Sequence, residues 1–132
     1  EYLLRGYLQQ LAGAFLANPW VPAVVLPLLF GLLHGTEQDL WSFIDRAFFG
    51  LVAAWLTIRT GGLEAAISLH ALGNIAGFTL LAIDDELRTF LVGPEPPLGA
   101  ATAALDMALV GAVAYVLARL ARRYAPSTQP LR

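Results

Sequence analysis

Cysteine is missing from this 132-residue chain, and with it any disulfide framework, thiolate metal site or cysteine nucleophile. Charge is scarce: 14% of residues are charged, where soluble domains carry about 25%. There is no basic excess either. The formal net charge is −2, which gives a nucleic-acid backbone nothing to bind, so no nucleic-acid partner is expected. Lysine is absent, and the Ala-, Leu- and Arg-rich remainder suits a high-GC bacterium. The chain also lacks an HExxH zinc motif, an internal repeat, a low-complexity run and a secretory signal pattern. What is plentiful is apolar. With 58% hydrophobic residues and a mean hydropathy of +0.64, lipid is the expected solvent.

Five helical segments can be drawn. The first runs from Glu1 to Ala17 and stops at Asn18-Pro19. The second runs from Val21 to His34, with a kink expected at Pro27. A polar break at 35–39 precedes the third, Leu40 to Thr60, which Gly61-Gly62 ends. The fourth runs from Leu63 to Ile83 and the acidic run Asp84-Asp85-Glu86 closes it. After a connection containing Gly93-Pro94-Glu95-Pro96-Pro97, the fifth runs from Leu98 to Ala121. Residues 122–132 read as a loose polar tail. Segments three to five reach the roughly 17–20 apolar residues a spanning helix needs. The first two are shorter or more polar and are expected to begin or end inside the membrane. The expected fold is therefore all-α, a multi-pass transmembrane helix bundle forming one membrane domain over 1–132. The chain opens at Glu1, already inside a motif, so it is expected to be the C-terminal part of a longer protein.

Three pairs spaced i, i+4 stand out: Glu1/Arg5, Phe30/His34 and His70/Asn74. That spacing places both members on one helix face. Segments one and two form a hairpin around Asn18-Pro19-Trp20, which brings Glu1 level with His34. Segments three and four form another around Gly61-Gly62, with His70 and Asn74 roughly 12 and 18 Å beyond the turn. If both turns share a side, the polar residues gather in one layer. Gly31/Gly35 and Gly73/Gly77 bracket His34 and Asn74 as GxxxG, a spacing that lets membrane helices approach closely.

Each pair also has a plain structural reading: an intrahelical ion pair, a helix-end histidine, an interhelical clamp. Together, five polar groups at up to ~3.5 kcal/mol each are a costly way to hold helices that small residues already pack. Other polar residues have simpler roles. Asp45-Arg46 reads as a local pair, Asp106 as a lumen or interface carboxylate, Glu64 as a helix N-terminal charge, and Glu37 and Asp39 as solvated loop charges. No Ser-His-Asp set forms, since Ser68 points away from His70.

Glu1-x-x-x-Arg5-Gly6, Phe30-x-x-x-His34, and Arg59-Thr60-Gly61 leading to His70-x-x-x-Asn74 resemble the CPBP family of intramembrane proteases. That family includes the Rce1-like CAAX prenyl endopeptidases and the bacterial Abi immunity proteins. The resemblance covers Glu1 to Ile83. It implies an intramembrane endopeptidase in which a glutamate and His34 activate water. His70 and Asn74 would then stabilise the oxyanion, and Arg5 would orient Glu1. A positioned base and preorganised donors are chemically suited to that work.

The family motif carries two adjacent glutamates, and Glu1 matches the second. The first would precede this chain, which is therefore expected to be inactive alone. No cofactor is expected; zinc, held by two His and a carboxylate, is the lesser option because Asn is a poor zinc ligand. The expected partners are the lipid bilayer and a peptide or protein substrate with a membrane-associated segment, and the expected location is the bacterial cytoplasmic membrane. Arg59, Arg119, Arg122 and Arg123 lie on the side of the turns, which points that side inward, whereas eukaryotic CAAX proteases open their site to the cytosol. Sidedness stays open between the two. Two other readings compete. One is a non-catalytic immunity or scaffold protein of the same family. The other is a transporter fragment, which the clean apolar stretches 48–56 and 107–117 oppose.

Overall fold

Lipid leaves backbone polar groups no outside partner, so an apolar chain closes its hydrogen bonds within helices. The structure, a computed structural model, describes residues 1–33, 39–83 and 97–124. Helix is the only regular structure among them. A π-helical segment, Tyr2–Leu8, runs straight into α1, Gln9–Leu16. Then come α2 (Trp20–Leu33), α3 (Leu40–Thr60), α4 (Glu64–Ile83) and α5 (Ala100–Tyr124). Helices α3, α4 and α5 are long and apolar enough to cross a membrane. The expected all-α, multi-pass architecture is therefore present.

Local chemistry sets the ends. Ala17 closes α1 in the left-handed region at φ 50°. Asn18 Oδ1 then accepts from Trp20 N at 2.9 Å and starts α2. Gly61 closes α3 at φ 74°, where a side chain would be strained, and its N–H returns to Thr57 O at 3.0 Å. Asp39 is not the solvated charge expected. It caps α3, accepting from Trp41 N at 2.9 Å, Ser42 N at 3.2 Å and Ser42 Oγ at 2.5 Å, and it also accepts from Leu98 N at 3.0 Å. One carboxylate thus ties the start of α3 to the approach to α5. The Ser42 hydroxyl first, then the Leu98 amide, hold the Asp39 carboxyl at about 2, below its usual range.

Helix α5 runs three residues past the expected Ala121, so Arg122 and Arg123 occupy its last turn. Arginine is a good helix former, and cations there meet the negative end of the helix dipole. Helix α2 continues through Pro27, which is fully buried. The expected terminators Asp84-Asp85-Glu86, the connection 93–96, and Gly35, Glu37 and 125–132 of the tail lie outside the described residues.

Helix α3 packs against α2, α4 and α5 through small residues: Ala47, Gly50, Ala53, Ala54 and Thr57 are all buried. Small side chains allow close approach in a solvent that supplies no hydrophobic drive between helices. A Cβ on Gly50 would stand 2.9 Å from Pro27 Cβ; one on Gly31 would stand 3.0 Å from the Phe43 ring. Gly73 and Gly77 break this pattern. Nothing lies within 4 Å of a Cβ added there, because that half of α4 is exposed and no described element covers it. A second cluster joins Leu56 to Ala65, Leu69, Ala114 and Ala118 across α3, α4 and α5.

The register follows from hydrogen bonds. Arg5 reaches Gly50 O and Gln9 reaches Ala54 O, so both partners step four residues and the first helix runs parallel to α3. The turn after α1 and the turn after α3 therefore lie at the same end of the bundle.

Candidate active site

Glu1, Arg5 and Gln9 form one stripe at four-residue spacing, and it faces α3. The Glu1 carbonyl accepts from both Arg5 N (2.8 Å) and Gly6 N (3.1 Å), opening the wider π turn where a regular α-helix was expected. In that turn residues four apart stack almost directly above one another. Such turns are rare and concentrate at functional sites. The stripe is buried: Arg5 is 1% exposed and Gln9 4%.

Arg5 makes three contacts. Its Nη2 donates to Gly50 O at 3.2 Å, Nη1 lies 3.5 Å from Glu1 Oε1, and the guanidinium stands over the Phe30 ring at 5.2 Å from its centre. Gly50 is the eleventh residue of the 21 in α3, so Arg5 sits about 15 Å from either end of that helix at ~1.5 Å per residue. A charge at that depth needs compensation, and a carboxylate, a carbonyl and an aromatic face supply it.

His70 approaches the same carboxylate from α4. Its Nδ1 lies 3.0 Å from Glu1 Oε1, a contact between residues 69 apart in sequence. An ionised carboxylate only accepts, so Nδ1 carries the proton of this bond. The Phe49 ring meets the imidazole edge-on, centres 5.1 Å apart at 74°, and fixes its plane. Glu1 Oε1 is thus shared by a guanidinium and an imidazole. Its second oxygen, Oε2, is buried and takes no hydrogen bond from a described residue.

Of the five expected site residues, Glu1, Arg5 and His70 converge. His34 lies outside the described residues, although Phe30 of its motif reaches Arg5. Asn74 shares the His70 face of α4 but is exposed. It lines an open groove with Ile75, Phe78 and Thr79 and forms no hydrogen bond with Glu1, Arg5 or His70. Asp45 also departs from expectation. Its carboxyl faces the Asp106 carboxyl on α5 as well as its neighbour Arg46, because α3 and α5 run parallel from the Asp39–Leu98 tie. Three participants were not singled out. Gln9 continues the Glu1/Arg5 stripe and could have been found by extending it one more turn. Gly50 and Phe49 carry no sequence signal of their own, since they matter only through partners on other helices. Among the described residues no three His, Asp or Glu side chains group as a metal cage, and His34 lies outside that set.

Comparison with known proteins bears on the same residues. The family model described as type II CAAX prenyl endopeptidase Rce1-like matches residues 1–76, more than half of the chain, and ends just beyond Asn74. A curated relative, the uncharacterized protein YyaK of Bacillus subtilis (strain 168), is 32% identical over 80 residues, 57% of this chain. The aligned part covers only 27% of that relative's length. No solved structure matches significantly.

Proposed function

Because the chain belongs to the Rce1-like family of type II CAAX prenyl endopeptidases, we propose that it carries part of the hydrolytic centre of an intramembrane endopeptidase. The observation that supports this is the Glu1 carboxylate, buried mid-bundle and clamped on one oxygen by Arg5 and His70. The clamp leaves Oε2 as the atom that takes a proton from water, with His34 as the second activating group. A positioned base of this kind contributes roughly 10²–10⁴-fold.

With Nδ1 committed to Glu1, the other ring nitrogen of His70, Nε2, faces the reaction. In the doubly protonated ring Nε2 donates, and with the Asn74 amide it stabilises the developing oxyanion. In the neutral ring Nε2 accepts, and His70 is itself a base oriented by Glu1. The donor role is our reading. Asn74 reaches the reaction only once substrate occupies its groove. The substrate is a peptide or protein with a membrane-associated segment, cleaved without a metal in the bacterial cytoplasmic membrane.

The test uses the natural full-length protein in proteoliposomes with a prenylated CAAX peptide and an unmodified membrane peptide, cleavage being read by mass spectrometry. We expect chelator-insensitive cleavage that falls at least 100-fold in Glu1→Gln and in His34→Ala. A well-folded protein that cleaves neither peptide would favour the non-catalytic immunity or scaffold reading.

A further inference from the structure

At the end of the bundle where the turns lie, three arginines from two helices face one cleft. Arg59 comes from the last turn of α3, and Arg119 and Arg122 come from the end of α5. The cleft holds about 490 Å³, within the range of small-molecule sites, and Trp20, Trp55 and Tyr115 also line it. Among the described residues no acidic side chain lines it. Arg119 is held in place: its Nε donates to Tyr115 Oη at 2.9 Å, a second nitrogen donates to the same oxygen, and the guanidinium lies over that ring at 5.0 Å. A second cleft, lined by Tyr115, Arg119, Arg122 and Arg123, adjoins it.

Single arginines at helix C-termini are explained by the helix dipole, and scattered aromatics by the membrane interface. Neither accounts for three guanidinium groups from two parallel helices opening on one cleft with no counter-ion among the described residues. Planar guanidinium forks match phosphate oxygens, and one wall of the cleft, Ile58 and Ala118, is apolar. The cleft also lies level with the ends of two spanning helices, where lipid headgroups run. We infer that it binds the phosphate of an anionic phospholipid headgroup in the leaflet on the side of the turns. Arg59 stands nine residues, about 13 Å, beyond Gly50 along α3, so this site is separate from the Glu1 centre.

Native mass spectrometry of the natural full-length protein in neutral detergent tests this, with phosphatidylglycerol and phosphatidylcholine titrated in parallel. One phosphatidylglycerol should be retained about tenfold more tightly than phosphatidylcholine, in line with the attraction of a few arginines near a surface. The R119Q/R122Q double variant should lose that preference at unchanged helical content, and R119K/R122K should keep part of it. Equal retention of both lipids, or a glutamine variant that binds as the wild type does, overturns the inference. Displacement of the lipid by an equal concentration of glycerol phosphate assigns the cleft to a soluble phosphate ester and overturns the lipid assignment.

Discussion

Gly50→Ala is expected to separate two helices and loosen the site together. The added Cβ would stand 2.9 Å from Pro27 Cβ and 3.1 Å from both Pro27 Cα and Arg5 Nη2. Carbon atoms rest about 3.5–4.0 Å apart, so α2 and α3 must part by roughly 0.6–1.1 Å at this contact. A proline ring in mid-helix cannot rotate aside. The Arg5 to Gly50 O bond, already 3.2 Å, lengthens past useful reach. Overpacking costs about 1–3 kcal/mol and losing a hydrogen bond to a charged group about 1.5–3, while the alanine helix preference returns up to ~1. The net loss is roughly 1.5–5 kcal/mol, read as unfolding in detergent followed by circular dichroism. Gly77→Ala is the control, since nothing lies within 4 Å of its added Cβ, and it should change stability by no more than ~1 kcal/mol, upward. If Gly50→Ala unfolds no earlier than Gly77→Ala, the packing that positions Arg5 has been misread.

Three further outcomes follow from the same geometry. Gln9 donates to Ala54 O at a long 3.5 Å and leaves its buried Oε1 without a partner among the described residues, so Gln9→Leu should match or exceed wild-type stability, by up to ~2 kcal/mol in thermal melts. The Asp39 carboxyl is depressed to about 2, so its stabilisation is complete above the unfolded value of 3.8 and disappears as pH falls through about 2. Unfolding midpoints of the wild type should therefore drop across that window, and those of Asp39→Asn should drop less from a lower start. Arg5→Lys should lower kcat about tenfold or more with little change in KM, because one ammonium cannot hold Glu1 Oε1 and Gly50 O as two guanidinium nitrogens do.

Helix α3 was fully legible in the sequence, since an apolar run flanked by Asp39 and Gly61 carries its own start and stop. The Glu1/Arg5 and His70 motifs were legible because four-residue spacing survives any detail of packing. The π turn was not, because one extra residue per hydrogen-bonded ring leaves no compositional trace. Asp39 was only half legible: its cap bonds to Trp41 and Ser42 are local, but its tie to the Leu98 amide joins residues 59 apart. At Gly73 and Gly77 the GxxxG spacing permits close approach, and no described element takes it up. Gly50 shows the complement, a lone glycine made essential by Pro27 and Arg5 on two other helices.

In the proposed mechanism Glu1 and His70 act as one unit across the 3.0 Å contact. A double-mutant cycle on kcat/KM in the full-length protein, with Glu1→Gln, His70→Ala and both together, measures that directly. Each single change should cost at least 100-fold, and the double should be hardly slower than either. Losses that multiply in the double variant, or a Glu1→Gln enzyme that keeps its rate, would contradict it.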